Sequence, residues 1–350
     1  MRTLAVVLAV AAVFGLAACA PRQVLDPSGI SVIRTYSFPT TVPDPEPAWN
    51  PVNYLIAART IQGFATYQEG TGRQEYFEST EGRESYHLVW LNRDQFVFGP
   101  PVNALRTTDG RVVPAAEGLT VVDVVDNGFK VQVQRRPLAA VGYLPRRGGD
   151  EIYAQVQDKM IIVDRYGAVR DGGQGFFPVP QPEGPGIAWQ ETPVIEPDYW
   201  TSKPPLGRLI IRWKPGVISE VPGAVQARWL PSGGLVCTVL AGEPLPAKPW
   251  YAVGTKVVLV TGPGAAPVVL SEDCRDPDPH PSQPIVAVTA ADGGVRLLST
   301  RPGIQAQSFT TVGNSPRWSF DGQRLLTIEP NSGKPGTALL KVHVLRSDFR

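Results

Sequence analysis

From about residue 80 onward the chain is a succession of short apolar runs of Val, Ile, Leu, Tyr and Phe, bounded by Gly, Pro, Asn and Asp. Lys159–Arg170, Arg208–Glu220 and Lys256–Leu270 each read as an apolar strand, a tight turn and a second strand. No apolar stripe at i, i+3, i+4 and i+7 is sustained over three turns, so the period of a surface helix is missing. The 36 prolines and 35 glycines point the same way, because both residues penalise helix interiors. The pattern predicts an all-β body. Upstream, one β-branched and aromatic island, Ile30–Phe38, interrupts a proline-rich stretch over 20–51 and reads as a strand. Residues 52–66 fit a short amphipathic helix or a further strand equally well.

A cadence recurs among these hairpins. Trp318-Ser-Phe-Asp-Gly-Gln-Arg-Leu-Leu326 sets a tryptophan three residues before an Asp321-Gly322 turn that opens into an apolar run. Trp229 with Ser-Gly-Gly, and Trp90 without a glycine, repeat it less completely. Weaker copies at Leu144, Trp189 and Pro284–Val288 bring the count to six, with about 46 residues per unit between 90 and 318, the size of a four-stranded propeller blade. A blade is a small twisted sheet that cannot bury its own faces, so it stacks on its neighbours around a channel. The tryptophan is expected to fill the gap between blades, and the glycine to supply the turn's positive φ. The expectation is a single β-propeller of four-stranded antiparallel blades over 52–350, six-bladed with seven as the alternative. The last unit ends one strand short, and Ile30–Phe38 is the candidate to complete it and remove an exposed edge.

The Trp318–Leu326 segment resembles the repeat of TolB-type β-propellers, whose blades carry Trp-Ser-Pro-Asp-Gly before a strand; here Phe320 replaces the proline. The resemblance extends over roughly 80–350 and implies a role in protein interaction. The helical domain that precedes the propeller in TolB itself has no counterpart here.

The first residues add an address. Arg2, an apolar run over Leu4–Leu16 and the small residues Ala17-Ala18 before Cys19 have the layout of a secretory signal. The apolar run is shorter than the roughly 20 residues that span a bilayer. Ala17-Ala18-Cys19 resembles the lipobox of bacterial lipoproteins, which implies removal of 1–18 and acylation of Cys19, with 19–51 as a stiff tether. Ala20 after that cysteine implies the outer membrane in a Gram-negative envelope. An ordinary signal peptide cut after Ala18 or Ala20 is the alternative. Loss of Arg2 leaves 32 basic residues (33 less one) against 32 acidic. Such a balance, without basic runs, argues against nucleic acid, whose phosphates demand several cations. Of the two other cysteines, Cys237 lies in an apolar run and Cys274 in a polar loop; they form a possible disulfide in an oxidising compartment, with a small buried thiol as the other reading of Cys237.

Chemistry is sparse. Only His87, His280 and His343 are available as imidazoles, and no Gly-x-Ser-x-Gly elbow occurs. His87 and His343 read as strand residues. The stretch Ser271–Pro281 carries Asp273, Asp276, Asp278 and His280, but without recognisable ligand spacing, so it reads as an inter-blade loop and no metal or cofactor is assigned. Trp200, Trp213 and Trp250 are candidates for a binding platform or for blade packing. No catalytic residue is assigned. The functional expectation is a lipid-anchored envelope propeller that binds a protein partner; a hydrolase of glycans or peptides and a small-ligand sensor are the alternatives.

Overall fold

The computed structural model describes residues 27–61, 63–70, 73–78, 86–90, 95–99, 120–126, 131–137, 143–148, 151–156, 159–163, 168–191, 207–243, 250–301, 304 and 307–347. The described strands form seven four-stranded antiparallel sheets. In chain order these blades occupy 48–78, 86–137, 143–174, 176–222, 224–272 and 274–312, and the seventh joins 314–347 to Ile30–Pro39. The first strand of each blade touches the first strands of the blades before and after it, and that of blade 7 meets that of blade 1. These seven innermost strands therefore close a ring. The all-β propeller expectation holds; the described sheets number seven, the alternative given beside six.

The count of six has an identifiable source. Blade 1 begins with a strand of only two residues, Ala48–Trp49, inside the proline-rich stretch, and its first turn, Asn50–Tyr54, carries no glycine. Residues 52–66, open between helix and strand from sequence, contribute to the next two strands of that blade, Leu55–Thr60 and Gly63–Gln68. Two of the weaker copies also stand out of phase with the blades. Leu144 stands near the start of a first strand, Tyr143–Gly148, and Trp189 lies in the second strand of blade 4, Ile187–Gln190.

Among the described residues the larger hydrophobic clusters lie between blades, and only a small one at Val225 and Leu240 lies within a blade. One joins Leu209 and Ile211 of blade 4 to Leu235, Cys237 and Val258 of blade 5; another joins Leu326, Leu340 and Val342 of blade 7 to Ile56, Ala65 and Tyr67 of blade 1. Further clusters bridge blades 5 and 6, 6 and 7, and 1 and 2. A fully buried Leu, Ile or Phe contributes about 1.5–3 kcal/mol, so each blade is stabilised chiefly by its neighbours. The second strands Leu235–Leu240 and Ile285–Ala290 are buried at every position, which is why they read as continuous apolar runs. Outer strands such as Val169–Gln174 are mostly exposed.

The island Ile30–Pro39 pairs along its length with Ala338–Ser347, from Ile30 opposite Ser347 to Pro39 opposite Leu339. The amino-terminal strand thus completes the last blade, as its composition predicted. Phe38 and Ile30 are buried, and Thr35 Oγ1 lies 3.1 Å from Nδ1 of His343, whose Nε2 lies 3.0 Å from Thr327 Oγ1. The histidine thereby ties the outer, third and second strands of blade 7 together.

Candidate functional site

Most of the candidate side chains are placed by the innermost strands and the turns that follow them. In four blades the strand ends with a tryptophan: Trp49, Trp90, Trp229 and Trp318. Each indole N–H donates to a backbone carbonyl of the preceding blade: Trp49 to Arg317, Trp90 to Ala48, Trp229 to Val179 and Trp318 to Asp278, at 2.8–3.0 Å. Each acceptor is the penultimate residue of its own first strand. The cadence in the sequence therefore marks a staple between adjacent blades, with apolar area and a half-buried hydrogen bond in one side chain. Trp49 belongs to this set although its turn lacks the Asp-Gly signature.

A second regularity lies outside the sequence cadence. Glu46, Phe177, Asp276 and Ser315 have left-handed backbone, with φ of 42, 53, 51 and 48°. Each precedes a proline and stands three residues before the end of its first strand, at Trp49, Pro180, Pro279 and Trp318. Proline is acceptable here because an innermost strand leaves one edge unpaired, and it closes the right-handed α region to the residue before it. The register shifts at this point in blades 4, 6 and 7. The preceding blade offsets the strain: Thr289 Oγ1 accepts the Ser315 N–H at 2.9 Å, and Gln226 Oε1 accepts that of Asp276 at 3.0 Å. The signal in the sequence is x-Pro-x-Trp/Pro, which recurs more regularly than Asp-Gly.

The Ser271–Pro281 segment is consequently not a solvated loop. Cys274–Pro279 is the first strand of blade 6, and Asp278 accepts the Trp318 N–H at 2.7 Å. Burial raises the Asp278 carboxyl above the ordinary 3.8, opposed by Arg317, Arg228 and the Trp318 amide. Asp276 receives Gln226 Nε2 at 2.5 Å. Cys274 is buried, not in a polar loop, and both Cys237 and Cys274 are free thiols in different inter-blade clusters, which corrects the possible disulfide.

The imidazoles are absorbed by the framework. His280 begins the first turn of blade 6, its Nδ1 accepting the N–H groups of Ser282 and Gln283 at 3.1 Å each, and its ring lies edge-on to Trp318 at 4.7 Å. Gly322 of the next blade presses on the other ring nitrogen: its φ is +74°, and a Cβ there would lie only 2.1 Å from Nε2 of His280. Gly322→Ala is therefore expected to destabilise the fold by about 2–4 kcal/mol, combining left-handed strain with overpacking, read as a fall in urea midpoint. A loss below about 1 kcal/mol would contradict the close approach.

Burial pushes both His280 and His343 down from 6.5 to about 4. The folded protein then binds fewer protons than the unfolded chain between those values. The contribution of the two histidines is complete well above pH 6.5 and falls as pH drops towards 4, by about 3 kcal/mol per histidine at the acid end. Urea midpoints from about pH 7 to 4 should show this decline, and replacing both histidines with Gln should flatten it. An unchanged slope in that variant would refute the assignment.

On the face that carries the first turns, the junction of blades 7 and 1 holds an exposed aromatic group on a fixed base. Phe320, 40% exposed, stands on the blade 7 turn with its ring 5.4 Å from that of Tyr54 on the blade 1 turn. Tyr54 donates to Asp321 Oδ2 at 2.5 Å, while the Arg324 guanidinium lies 3.4 Å from the centre of the Tyr54 ring. Arg324 Nε pairs with the buried Glu69 at 2.8 Å. Asp321 also accepts Ser319 Oγ at 2.8 Å and the Gln323 N–H at 3.1 Å. Burial and the Asp321 bond raise the Tyr54 hydroxyl to about 12. Burial alone would raise Asp321, but bonds from Tyr54, Gln323 and Ser319 and the nearby Arg324 hold it below 3.8. Val52, exposed, shares the Tyr54 turn. The sequence singles out Asp321 and Gly322 as turn residues but not Tyr54, Glu69 and Arg324, whose meeting depends on ring closure.

The remaining candidates divide. Trp213 packs edge-on against Trp229 at 5.4 Å and donates to Ser219 Oγ, so it serves packing. His87 lies in a first strand and Trp250 in a short 3-10 turn, with neither side chain described. Cys19 and Trp200 fall outside the described residues, and among those residues no group of three or more His, Cys, Asp and Glu is placed to hold a metal.

No protein-family model matches the chain, and no curated protein matches it. Solved structures do. A chain in a crystal structure of the mitotic checkpoint complex superposes over 90% of this chain and 95% of its own, with a TM-score of 0.54 at 12% identity. The RRP9 WD40 repeats match over 93% and 99% with 0.53 at 10% identity, and U3-55K over 91% and 100% with 0.52 at 10%. The fold is that of the WD40 propellers. At such identities the likeness establishes architecture alone.

Proposed function

We propose that this chain is an exported, lipid-anchored β-propeller of the cell envelope that docks a protein partner on the first-turn face where blades 7 and 1 meet. The observation that carries the docking surface is Phe320, exposed above a Tyr54 ring that Asp321 and Arg324 hold in place. An aromatic group fixed before binding loses little entropy on binding, and Tyr, Trp and Arg dominate interface energetics. The TolB-type repeat at Trp318–Leu326 and the lipobox-like Ala17-Ala18-Cys19 support the envelope role and the anchor on the outer membrane. A hydrolase would have to work without His280 and His343, whose ring nitrogens are engaged in the framework.

The test is photo-crosslinking in the producing cell from a benzophenone side chain at position 320, with position 218 on the outer strand of blade 4 as control. A discrete heterologous adduct at 320, absent at 218 and lost in Val52→Asp, is expected. Identical adducts at both positions, or none, would overturn the docking surface. Cys19→Ala should abolish incorporation of labelled palmitate.

A further inference from the structure

Outer strands of several blades expose aliphatic side chains: Ile33 at 59% and Val32 at 39% on blade 7, Ile218 at 58% on blade 4, and Val268 and Val269 on blade 5. Exposure alone therefore does not distinguish one rim from another. The amino terminus does. Pro27 leads into the outer strand of blade 7 through Ile30, which is buried in the cluster between blades 6 and 7, so the chain enters the ring at a fixed point. From Cys19 to Pro27 there are eight residue steps, and a chain covers at most about 3.6 Å per step, or about 29 Å in all. A domain of this size is about 50 Å across. The rim of blade 4 lies three blades from blade 7 in one direction and four in the other. A chain anchored at Cys19 is too short to let the ring stand upright on that far rim.

The entry point has the chemistry of a membrane-interface contact. The ladder shifts between Val32 and Arg34, leaving Ile33 between two paired residues and more exposed than Val32. Arg34 follows it, and Arg346 stands opposite Ser31 on the neighbouring strand, both exposed. Aliphatic side chains flanked by arginines suit the boundary between acyl chains and anionic headgroups, where the apolar part inserts and the cations stay with phosphate.

We infer that the outer edge of blade 7, at Val32, Ile33, Arg34 and Arg346, is the surface this protein lays on the bilayer. This rests on the proposed lipid at Cys19. The ring then stands on its rim, with the first-turn face turned sideways and open to a partner.

The experiment uses the full acylated protein in phosphatidylethanolamine–phosphatidylglycerol vesicles carrying spin-labelled lipid. A fluorophore is placed through Ile33→Cys, Ile218→Cys or Val52→Cys, while mass spectrometry of the amino-terminal peptide reads acylation. Loss of emission at 33 several times that at 218 and 52 is expected, and it should diminish in Arg34→Glu/Arg346→Glu. Acylated Cys19 with equal quenching at 33 and 218, or with the greatest quenching at 52, overturns the rim contact and leaves the anchor standing. An unmodified Cys19 overturns both.

Discussion

Deleting residues 30–39 is expected to cost about 5 kcal/mol or more, a large part of the roughly 5–15 kcal/mol that separates a folded domain from its unfolded chain. Two buried side chains are lost, Ile30 and Phe38, each contributing about 1.5–3 kcal/mol. The antiparallel ladder to Ala338–Ser347 goes with them, at about 1 kcal/mol net for each hydrogen bond. The deletion also strips Thr35 from His343 and leaves an unpaired strand at the one blade built from both ends of the chain. Thermal unfolding should shift sharply down, and size-exclusion chromatography should show association through the bared edge. The point variant Phe38→Ala, expected to lose about 3–5 kcal/mol, keeps the ladder and isolates the packing contribution. An unchanged melting temperature in the deletion would mean that the seventh blade closes without this strand.

That strand is legible in the sequence because a β-branched island in proline-rich chain has few other uses. The hairpins at Lys159–Arg170, Arg208–Glu220 and Lys256–Leu270 are legible for a similar reason: their apolar runs and turn residues are local signals. The blade count is not. It relies on a turn signature, Asp-Gly or Gly-Gly after tryptophan, that blade 1 does not use and that blade 6 replaces with His280 and a proline-rich turn.

Proline misleads in a physically informative way. Asp276-Pro-Asp-Pro279 looks like loop because proline removes a ladder donor, yet the innermost strand of a propeller has one edge with no partner to serve. The same property explains why Cys274 reads as a polar-loop residue while it is buried between blades 5 and 6. The candidate docking surface is half visible. Asp321 and Gly322 announce a turn, but Tyr54 and Glu69 lie more than 250 residues away, and only closure of the ring brings them to Arg324. No local pattern carries that information.

A single-residue effect as large as that of Phe38→Ala is expected at Trp318. Trp318→Ala removes a ring packed on His280 and in the cluster between blades 6 and 7, at a cost of about 3–5 kcal/mol. Trp318→Phe keeps much of the apolar area but leaves the Asp278 carbonyl without its indole donor, which costs about 1–3 kcal/mol. The difference between the two separates packing from the staple. Denaturant slopes add a second reading, because the four indoles that end first strands each point back to the previous blade, and the contacts pass around a closed ring. If the ring unfolds as one unit, both variants lower the urea midpoint with an unchanged slope. A shallower slope would mean that blade 7 opens ahead of the rest. A Trp318→Phe variant as stable as the parent would show that the indole N–H contributes nothing, and the cadence would then record ring size alone.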